Sequence, residues 1–209
     1  MNFQDTQLIG VLARAESTVS SLSNLLGGLV EKFAARGYSL YLVGGSVRDA
    51  LLGRLGNDLD FTTPARPEVV KEILDEWAET VWDTGIDFGT VSAAYKGQQI
   101  EITTFRSDSY DGQSRNPEVV YGDTLEGDLV RRDFKANAMA IELLADASFK
   151  FHDPLHGLQD IADRVLDTPD KPEISFHDDP LRMLRAARFA SQLEFRVADR
   201  VVEAMRDMA

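Results

Sequence analysis

The sequence predicts an α/β domain over residues 1–153, a mixed sheet with helices, followed by the start of an all-α domain over residues 154–209. Three observations predict it. Short strand-like runs alternate with helical spacing as far as Phe149–His152, a turn-rich junction falls at 153–157, and beyond it every apolar stripe recurs three or four residues apart.

The elements follow in order. Val19, Leu22, Leu25, Leu26, Leu29 and Phe33 recur at helical spacing across Glu16–Arg36, and Gly37 supplies a C-terminal stop. Tyr38–Val43 is a short buried strand that runs into Gly44-Gly45, and Ser46 opens a helix over Val47–Gly53. Leu59–Thr62 is a second strand. Pro67–Val81 is a helix with proline in its first turn and Val70, Ile73, Leu74 and Trp77 on one side. Gly89–Tyr95 and Gln98–Phe105 have hairpin spacing around Lys96-Gly97. Ser107–Gly127 is a polar loop of a length that is usually functional or mobile. Asp128–Leu144 has helical spacing and Phe149–His152 is one more strand. After the junction, helices are expected over Gly157–Leu166, Asp179–Leu193 and Val197–Met208. The chain stops inside a helical pattern with no capping signal, which predicts a longer helical part beyond Ala209.

Composition narrows the function. With 209 residues, 44% of them apolar and 27% charged, the chain has the make-up of a globular protein with a real core. Cysteine is absent, so disulfide frameworks, thiolate zinc sites and cysteine nucleophiles are excluded, and any metal must sit on oxygen or imidazole. No apolar run is long enough to span a bilayer, and Met1–Ala15 lacks the order of a signal peptide, so a cytoplasmic protein without a membrane partner is expected. The net charge of −13 means that a nucleic-acid partner needs a local basic surface. No pattern bears on oligomeric state.

The most informative stretch is Gly44-Gly45-Ser46-Val47-Arg48-Asp49 followed by Asp58-Leu59-Asp60. Carboxylates two apart on a strand point to one face, and two like charges that close are costly unless a cation neutralises them. An all-oxygen site of this kind suits Mg²⁺. A helix N-terminus preceded by two glycines presents free backbone N–H groups to a phosphate, and Arg48 stands one turn into that helix. Each element alone is commonplace as a turn, a strand end or a surface pair. Strand, glycine turn, helix and acidic strand in succession are the equipment for phosphoryl or nucleotidyl transfer.

Two further clusters agree. Arg131-Arg132-Asp133 lead into a helical run, with Asn137 one turn after Asp133 on the same face. Arg182, Arg185 and Arg188 form one ridge of a helix whose other side carries Leu181, Leu184 and Phe189. Three guanidinium groups on one ridge repel one another unless anions sit there.

These motifs resemble the polymerase β-type nucleotidyltransferases. In the longer form Gly44–Asp49 with Asp58-x-Asp60 they resemble the class II tRNA nucleotidyltransferases, the CCA-adding enzymes and their poly(A) polymerase relatives. Asp83–Val91 is similar to the stretch ahead of the central hairpin in CCA-adding enzymes, Asp153–Asp160 to the hinge between head and neck, and 107–127 to a loop thought to help the switch from C to A addition. The resemblance covers roughly residues 38–195 and leaves 1–37 without a motif. Three departures stand out: Lys135 and Ala136 replace the usual threonine and bulky aliphatic residue, Asp178 replaces the usual glutamate, and Arg115-Asn116-Pro117-Glu118 in the loop departs modestly from the usual basic form.

The resemblance implies a template-independent transferase that adds C and A from CTP and ATP to the 3′ end of tRNA and releases pyrophosphate. It implies two-metal catalysis, with Asp58 and Asp60 as catalytic residues and ligands of two Mg²⁺ ions and Glu101 as a third catalytic carboxylate. It implies nucleotide binding by Gly44, Gly45, Arg48, Arg132, Asp133, Asn137, Asp179, Arg182, Arg185 and Arg188. Asp179 with Arg182 would read the base. Cytosine and adenine both present an amino donor beside a ring-nitrogen acceptor, which a carboxylate and a guanidinium satisfy, whereas uracil and guanine reverse the order. A-adding, CC-adding and poly(A)-adding relatives, and a non-catalytic nucleotide- or tRNA-binding module, remain as alternatives.

Overall fold

The structure, a computed structural model, describes residues 3–106 and 121–208. Of the predicted loop, residues 107–120, including Arg115–Glu118, lie outside the described residues. Its flanks meet, with Arg106 and Tyr121 closing as an isolated antiparallel bridge.

The elements in chain order are α1 (Phe3–Ala35), β1 (Leu40–Val43), α2 (Gly44–Leu51), β2 (Asp58–Thr63), α3 (Pro67–Asp75), β3 (Thr80–Trp82), β4 (Thr90–Tyr95), β5 (Gln98–Thr104), α4 (Leu125–Val130), β6 (Ala140–Leu143) and β7 (Phe149–His152). They are followed by α5 (Gly157–Asp163), β8 (Val165–Leu166), α6 (Pro172–Asp178), α7 (Leu181–Leu193), β9 (Arg196–Val197) and α8 (Asp199–Met208). Among the described residues, seven strands form one sheet in the order β3-β4-β5-β2-β1-β6-β7. It is mixed, as expected: β2 pairs with β5 in parallel and every other neighbour is antiparallel.

Helix α1 gives Phe3–Ala35 a role that the motifs leave blank. Its stripe Val19, Leu22, Leu26, Leu29 and Phe33 is buried, and the helix packs on α2, α3 and α5. Burying a stripe of this size at roughly 1.5–3 kcal/mol per large side chain makes α1 part of the core and not an appendage. The ion pairs at its C-terminal end, Lys32–Glu76 at 2.8 Å and Arg36–Glu76 at 2.8 Å, are exposed. Such pairs contribute about 0–1 kcal/mol each, so burial decides the docking of this helix.

Several boundaries differ from expectation. The helix expected over Pro67–Val81 ends at Asp75, because Thr80–Trp82 leaves to pair with β4 as the sheet's edge. The helical spacing over Asp128–Leu144 divides into α4, a single 3-10 turn at Lys135–Asn137, and β6, which pairs with both β1 and β7. Ile141 belongs to that strand: a compact apolar run satisfies either period, and the open edge of β1 selects the extended form. Gly157–Leu166 is helical only to Asp163, after which Val165–Leu166 pairs in parallel with Arg196–Val197. That small ladder is the one β element in the otherwise helical C-terminal part of the described residues.

The main apolar cluster continues across the junction: Leu42, Val47 and Phe134 belong to the same core as Ile161, Leu166, Phe189 and Leu193. Phe176, Val201 and Ala204 form a separate cluster between α6 and α8. On α7, Leu181 is 61% and Leu184 69% exposed, contrary to the expectation that they bury the far side of the arginine ridge. The inner stripe is Ala186, Phe189 and Leu193, and Arg182 and Arg185 share it because they reach toward α4 and the segment after it.

Candidate active site

The acidic face forms where β2 lies beside β5. Along β2 the side chains alternate as expected for a strand, with Asp58 and Asp60 exposed and Leu59 and Phe61 buried, so both carboxylates share one face. The parallel register sets Asp60 opposite Glu101, which is also exposed, so the third carboxylate of the sequence reading stands on the neighbouring strand at the same level. Although solvent reaches the Asp60 side chain, the protein packed around it raises its carboxyl above the ordinary aspartate range, the nearby Glu101 and Asp58 charges push it further, and Arg132 and Arg48 oppose them. Crowded negative charge is what a bound cation relieves.

The glycine turn meets this face. Gly44 has φ +66°, a conformation that favours glycine, and a Cβ there would lie 3.0 Å from Arg132 Nη1 and 3.7 Å from Asp60 Oδ2. Gly44, Asp60 and Arg132 therefore converge on one point. Helix α2 begins at this turn and not after it, with Val43 as N-cap and no side-chain capping bond, so its first N–H groups face the same point. Ser46 is inside the helix and does not cap it. Its hydroxyl accepts from the Asp60 N–H at 2.9 Å and donates to the Asp58 carbonyl at 3.3 Å, which ties α2 to the acidic strand.

Arg132 is held from behind. Asp128, whose side chain is wholly buried, receives Arg132 Nη2 at 2.9 Å, Arg131 Nη2 at 3.3 Å and the Arg106 N–H at 3.4 Å. Burial alone would raise the Asp128 carboxyl, but the Arg132 and Arg131 charges outweigh it and hold this group below the usual range. Sequence reasoning missed both Asp128 and Ser46. The signal for Asp128 was an acid three and four residues before two arginines, and Ser46 carried none beyond its place in the motif.

Arg48, which the resemblance implies as a nucleotide-binding residue, is drawn into a buried network. It is 7% exposed, with Nε and Nη2 each 2.9 Å from Asp49 and Nη1 2.7 Å from Asn137 Oδ1. Asn137 in turn donates to Asp133 Oδ1 at 3.0 Å. These groups face one another inside the protein because Asn137 leaves the 3-10 turn on the side that Asp133 occupies. Lys135, the departure from the family pattern, makes an ion pair with Asp167 at 2.7 Å, and Ala136 is fully buried.

From the helical side, Asp179 and Arg182 stand at the start of α7. Asp179 Oδ1 accepts from the Leu181 N–H at 3.0 Å, while Arg182 donates to Ser175 Oγ at 2.8 Å and the Arg131 carbonyl at 2.7 Å. A cavity of about 460 Å³ opens here, lined among others by Arg131, Arg132, Ser175, Asp178 and Arg182. Its size suits a nucleoside-sized ligand. Arg132 belongs both to the cavity wall and to the Gly44–Asp60 junction, so the two regions adjoin. Arg185 is bound to Asp133, and Arg188 is exposed beside Phe189.

The residues present fit a Mg²⁺ ion. Among the described residues no group of three or more His, Cys, Asp or Glu side chains stands ready to hold a metal ion, and Asp58 with Asp60 make a two-carboxylate face. Mg²⁺ is commonly held this way, by one or two carboxylates with waters and substrate phosphates completing the shell.

A mixed sheet that brings a glycine turn and an Asp-x-Asp strand together, with a helical part after it, defines a nucleotidyltransferase head of the polymerase β type. The family model described as the Poly A polymerase head domain matches residues 40–167, so the chain belongs to that family. The CCA-adding enzyme of Lactobacillus helveticus is 43% identical over 172 residues, which is 82% of this chain and 41% of that protein. The CCA-adding enzyme of Listeria innocua is 43% identical over 170 residues, 81% of this chain and 41% of that protein. Among solved structures, the Bacillus stearothermophilus CCA-adding enzyme in complex with CTP superposes with a TM-score of 0.75 at 37% identity, covering 90% of this chain and 43% of that one. A tRNA nucleotidyltransferase complexed with a primer tRNA and an incoming ATP analog gives a TM-score of 0.70 at 30% identity, covering 90% of this chain and 49% of that one. The chain thus spans less than half the length of these relatives. Among the described residues, no helix is long and apolar enough to cross a membrane.

Proposed function

We propose that this chain carries the head, residues 1–153, and the start of the neck, residues 154–209, of a cytoplasmic CCA-adding tRNA nucleotidyltransferase that uses CTP, ATP and Mg²⁺. The observation that carries the reading is the convergence of Gly44, Asp60 and Arg132 beside a cavity walled by Arg132 and Arg182. The CCA-adding enzyme solved with CTP and the tRNA nucleotidyltransferase solved with a primer tRNA and an ATP analog support the choice of tRNA as acceptor and of CTP and ATP as donors, and the two relatives at 43% identity support CCA addition.

In this reading the backbone N–H groups at Gly44 and Gly45 and the Arg132 guanidinium hold the triphosphate, where their positive charge offsets the charge that builds on the leaving pyrophosphate. Asp58 and Asp60 would hold two Mg²⁺ ions, and Glu101 stands beside Asp60 on β5 as the third carboxylate. Metal bound there would supply a more nucleophilic tRNA 3′-hydroxyl and a clamp on the triphosphate charge. Ser46 keeps both aspartates at a fixed distance from the glycine turn. Asp179 and Arg182 face the base from the neck: a carboxylate acceptor beside a guanidinium donor matches cytosine and adenine and opposes uracil and guanine. Arg48, Asp133 and Asn137 act behind these groups, and Arg185 and Arg188 supply positive charge nearby.

The test is calorimetric titration of the chain and of Arg182→Ala with CTP, ATP, UTP and GTP in the presence of Mg²⁺. Preference for CTP and ATP that disappears in the variant is the expected result. Equal binding of all four nucleotides, or none, overturns the base-reading assignment. Extension products from tRNA, sequenced at single-nucleotide resolution, separate CCA addition from A-only, CC-only or poly(A) addition.

A further inference from the structure

The arginines of α7 share a single aromatic ring with the head. Phe189 is 7% exposed, and the Cζ atoms of Arg48, Arg185 and Arg188 lie 5.1, 5.2 and 4.8 Å from its ring centroid. One of these guanidinium groups comes from α2 and two come from α7. The ring makes a T-shaped pair with Phe134, with centroids 5.9 Å apart and planes at 90°.

Three cations around one point lie within roughly 10 Å of one another, about the screening length of physiological salt, so their mutual repulsion is felt. Carboxylates answer only part of it. Asp49 takes Arg48 and Asp133 takes Arg185, whereas Arg188 has no ion-pair partner among the described residues. The negative face of an aromatic ring is the remaining counter-charge, and it is the one group common to all three. Arg48 is close enough to the acidic strand for its charge to act on Asp60. The net positive charge gathered by the ring therefore stands beside the glycine turn and Arg132.

We propose that Phe189 is a positioning residue for polyphosphate binding, its ring holding Arg48, Arg185 and Arg188 together as a pre-formed cationic cluster at the meeting of head and neck. The assignment rests on the nucleotidyltransferase reading for the identity of the polyphosphate as the tail of an incoming nucleotide. Its chemistry requires only a polyanion. Without the ring, Arg188, which no carboxylate among the described residues holds, must be ordered by the ligand, and Arg48 and Arg185 keep only their carboxylate ties, so part of the ordering becomes a cost of binding.

The test compares the wild-type chain with Phe189→Leu, which keeps an apolar side chain but removes the ring's negative face, and Phe189→Tyr, which keeps it. Inorganic tripolyphosphate with Mg²⁺ is titrated by calorimetry, and melting temperature is followed in parallel. The expected result is a loss of affinity of about fivefold or more in Phe189→Leu and a change within about twofold in Phe189→Tyr. Wild-type affinity in Phe189→Leu, equal losses in both variants that track melting temperature, or no tripolyphosphate binding by the wild type would each overturn the assignment. Nucleotide preference is a separate readout: ring-dependent tripolyphosphate binding without any preference for CTP and ATP would overturn the proposed function and leave the role of Phe189 standing.

Discussion

Arg185 reaches from α7 to place both Nε and Nη2 on a single oxygen of Asp133, at 2.8 and 2.6 Å. The other oxygen of Asp133 accepts the Phe134 N–H at 2.9 Å and Asn137 Nδ2 at 3.0 Å, and Asn137 passes the chain on to Arg48 and Asp49. A continuous polar relay therefore runs from the glycine-turn helix to the arginine helix. The repulsion expected along the arginine ridge is answered in part by the protein's own carboxylate.

That relay has a measurable stability. Asp133 is 8% exposed and would keep a buried charge without its strongest partner in Arg185→Ala, although the Arg185 side chain is itself 42% exposed and partly screened. Discounting for that exposure, the substitution should cost about 1–3 kcal/mol in urea denaturation. Arg185→Lys should cost less, because the charge remains and only the paired geometry is lost. Unchanged stability in the alanine variant would show that the relay does not fasten α7 to the head.

Asp60→Ala separates chemistry from binding. In the proposed function the carboxylate lies on the face that would hold Mg²⁺, while Gly44, Gly45 and Arg132 remain for the triphosphate. Incorporation of nucleotide into tRNA should be abolished, and CTP affinity should stay measurable by calorimetry. Full incorporation by the variant would remove Asp60 from the metal site.

Much of this site was legible because its logic is local. Asp58 and Asp60 fall on one face by strand alternation alone, and a glycine turn before a helix reads as a phosphate site without any long-range information. What escaped were partnerships made only by folding. Arg48 reads from sequence as a free cation one turn into a helix, and only the arrival of Asn137, 89 positions later, makes it a buried tie. Leu181 and Leu184 fit an apolar face by spacing, yet the inner positions of α7 go to arginines whose acceptors lie some 50 residues earlier. The strand β6 was misread because Ala138–Ile141 is a compact apolar run whose form depends on the unpaired edge of β1.

Gly157 tests the junction between the two parts. A Cβ at this position would run into the backbone carbonyl of Lys135, and no side-chain rotation can relieve contact with backbone. The N–H of Gly157 is also held by Asp153 Oδ1 at 2.7 Å, which fixes the start of α5 and leaves little freedom to shift. Gly157→Ala should therefore destabilise the fold by more than about 2 kcal/mol and lower the melting temperature accordingly. A variant as stable as the wild type would mean that α5 can move away from the 3-10 turn at Lys135–Asn137, and the junction would be looser than its packing implies.

Asp160, on the same helix, gives a pH dependence with a definite sign. Its Oδ2 is buried without a hydrogen-bond partner. Burial, opposed by Lys135 and reinforced by the charges of Asp167, Asp153 and Asp163, raises its carboxyl from 3.8 to about 6. Lys135 gives only partial relief because it is already paired with Asp167. In the unfolded chain the same group ionises near 3.8, so between that value and about 6 the folded state holds a proton that the unfolded state has released. Stability then falls as pH rises through this window, and above it the protein carries a constant penalty for an ionised, half-buried carboxylate. Asp160→Asn should remove that penalty. At neutral pH its melting temperature should exceed the wild type's by about 1–3 °C, a modest figure because the group is partly solvated. Below about pH 3 the two curves should meet, since Asp160 is then protonated in both folded and unfolded states. A difference that is independent of pH would show that the asparagine acts through packing, and a lower melting temperature at neutral pH would mean that the carboxylate's interaction with Lys135 outweighs its burial.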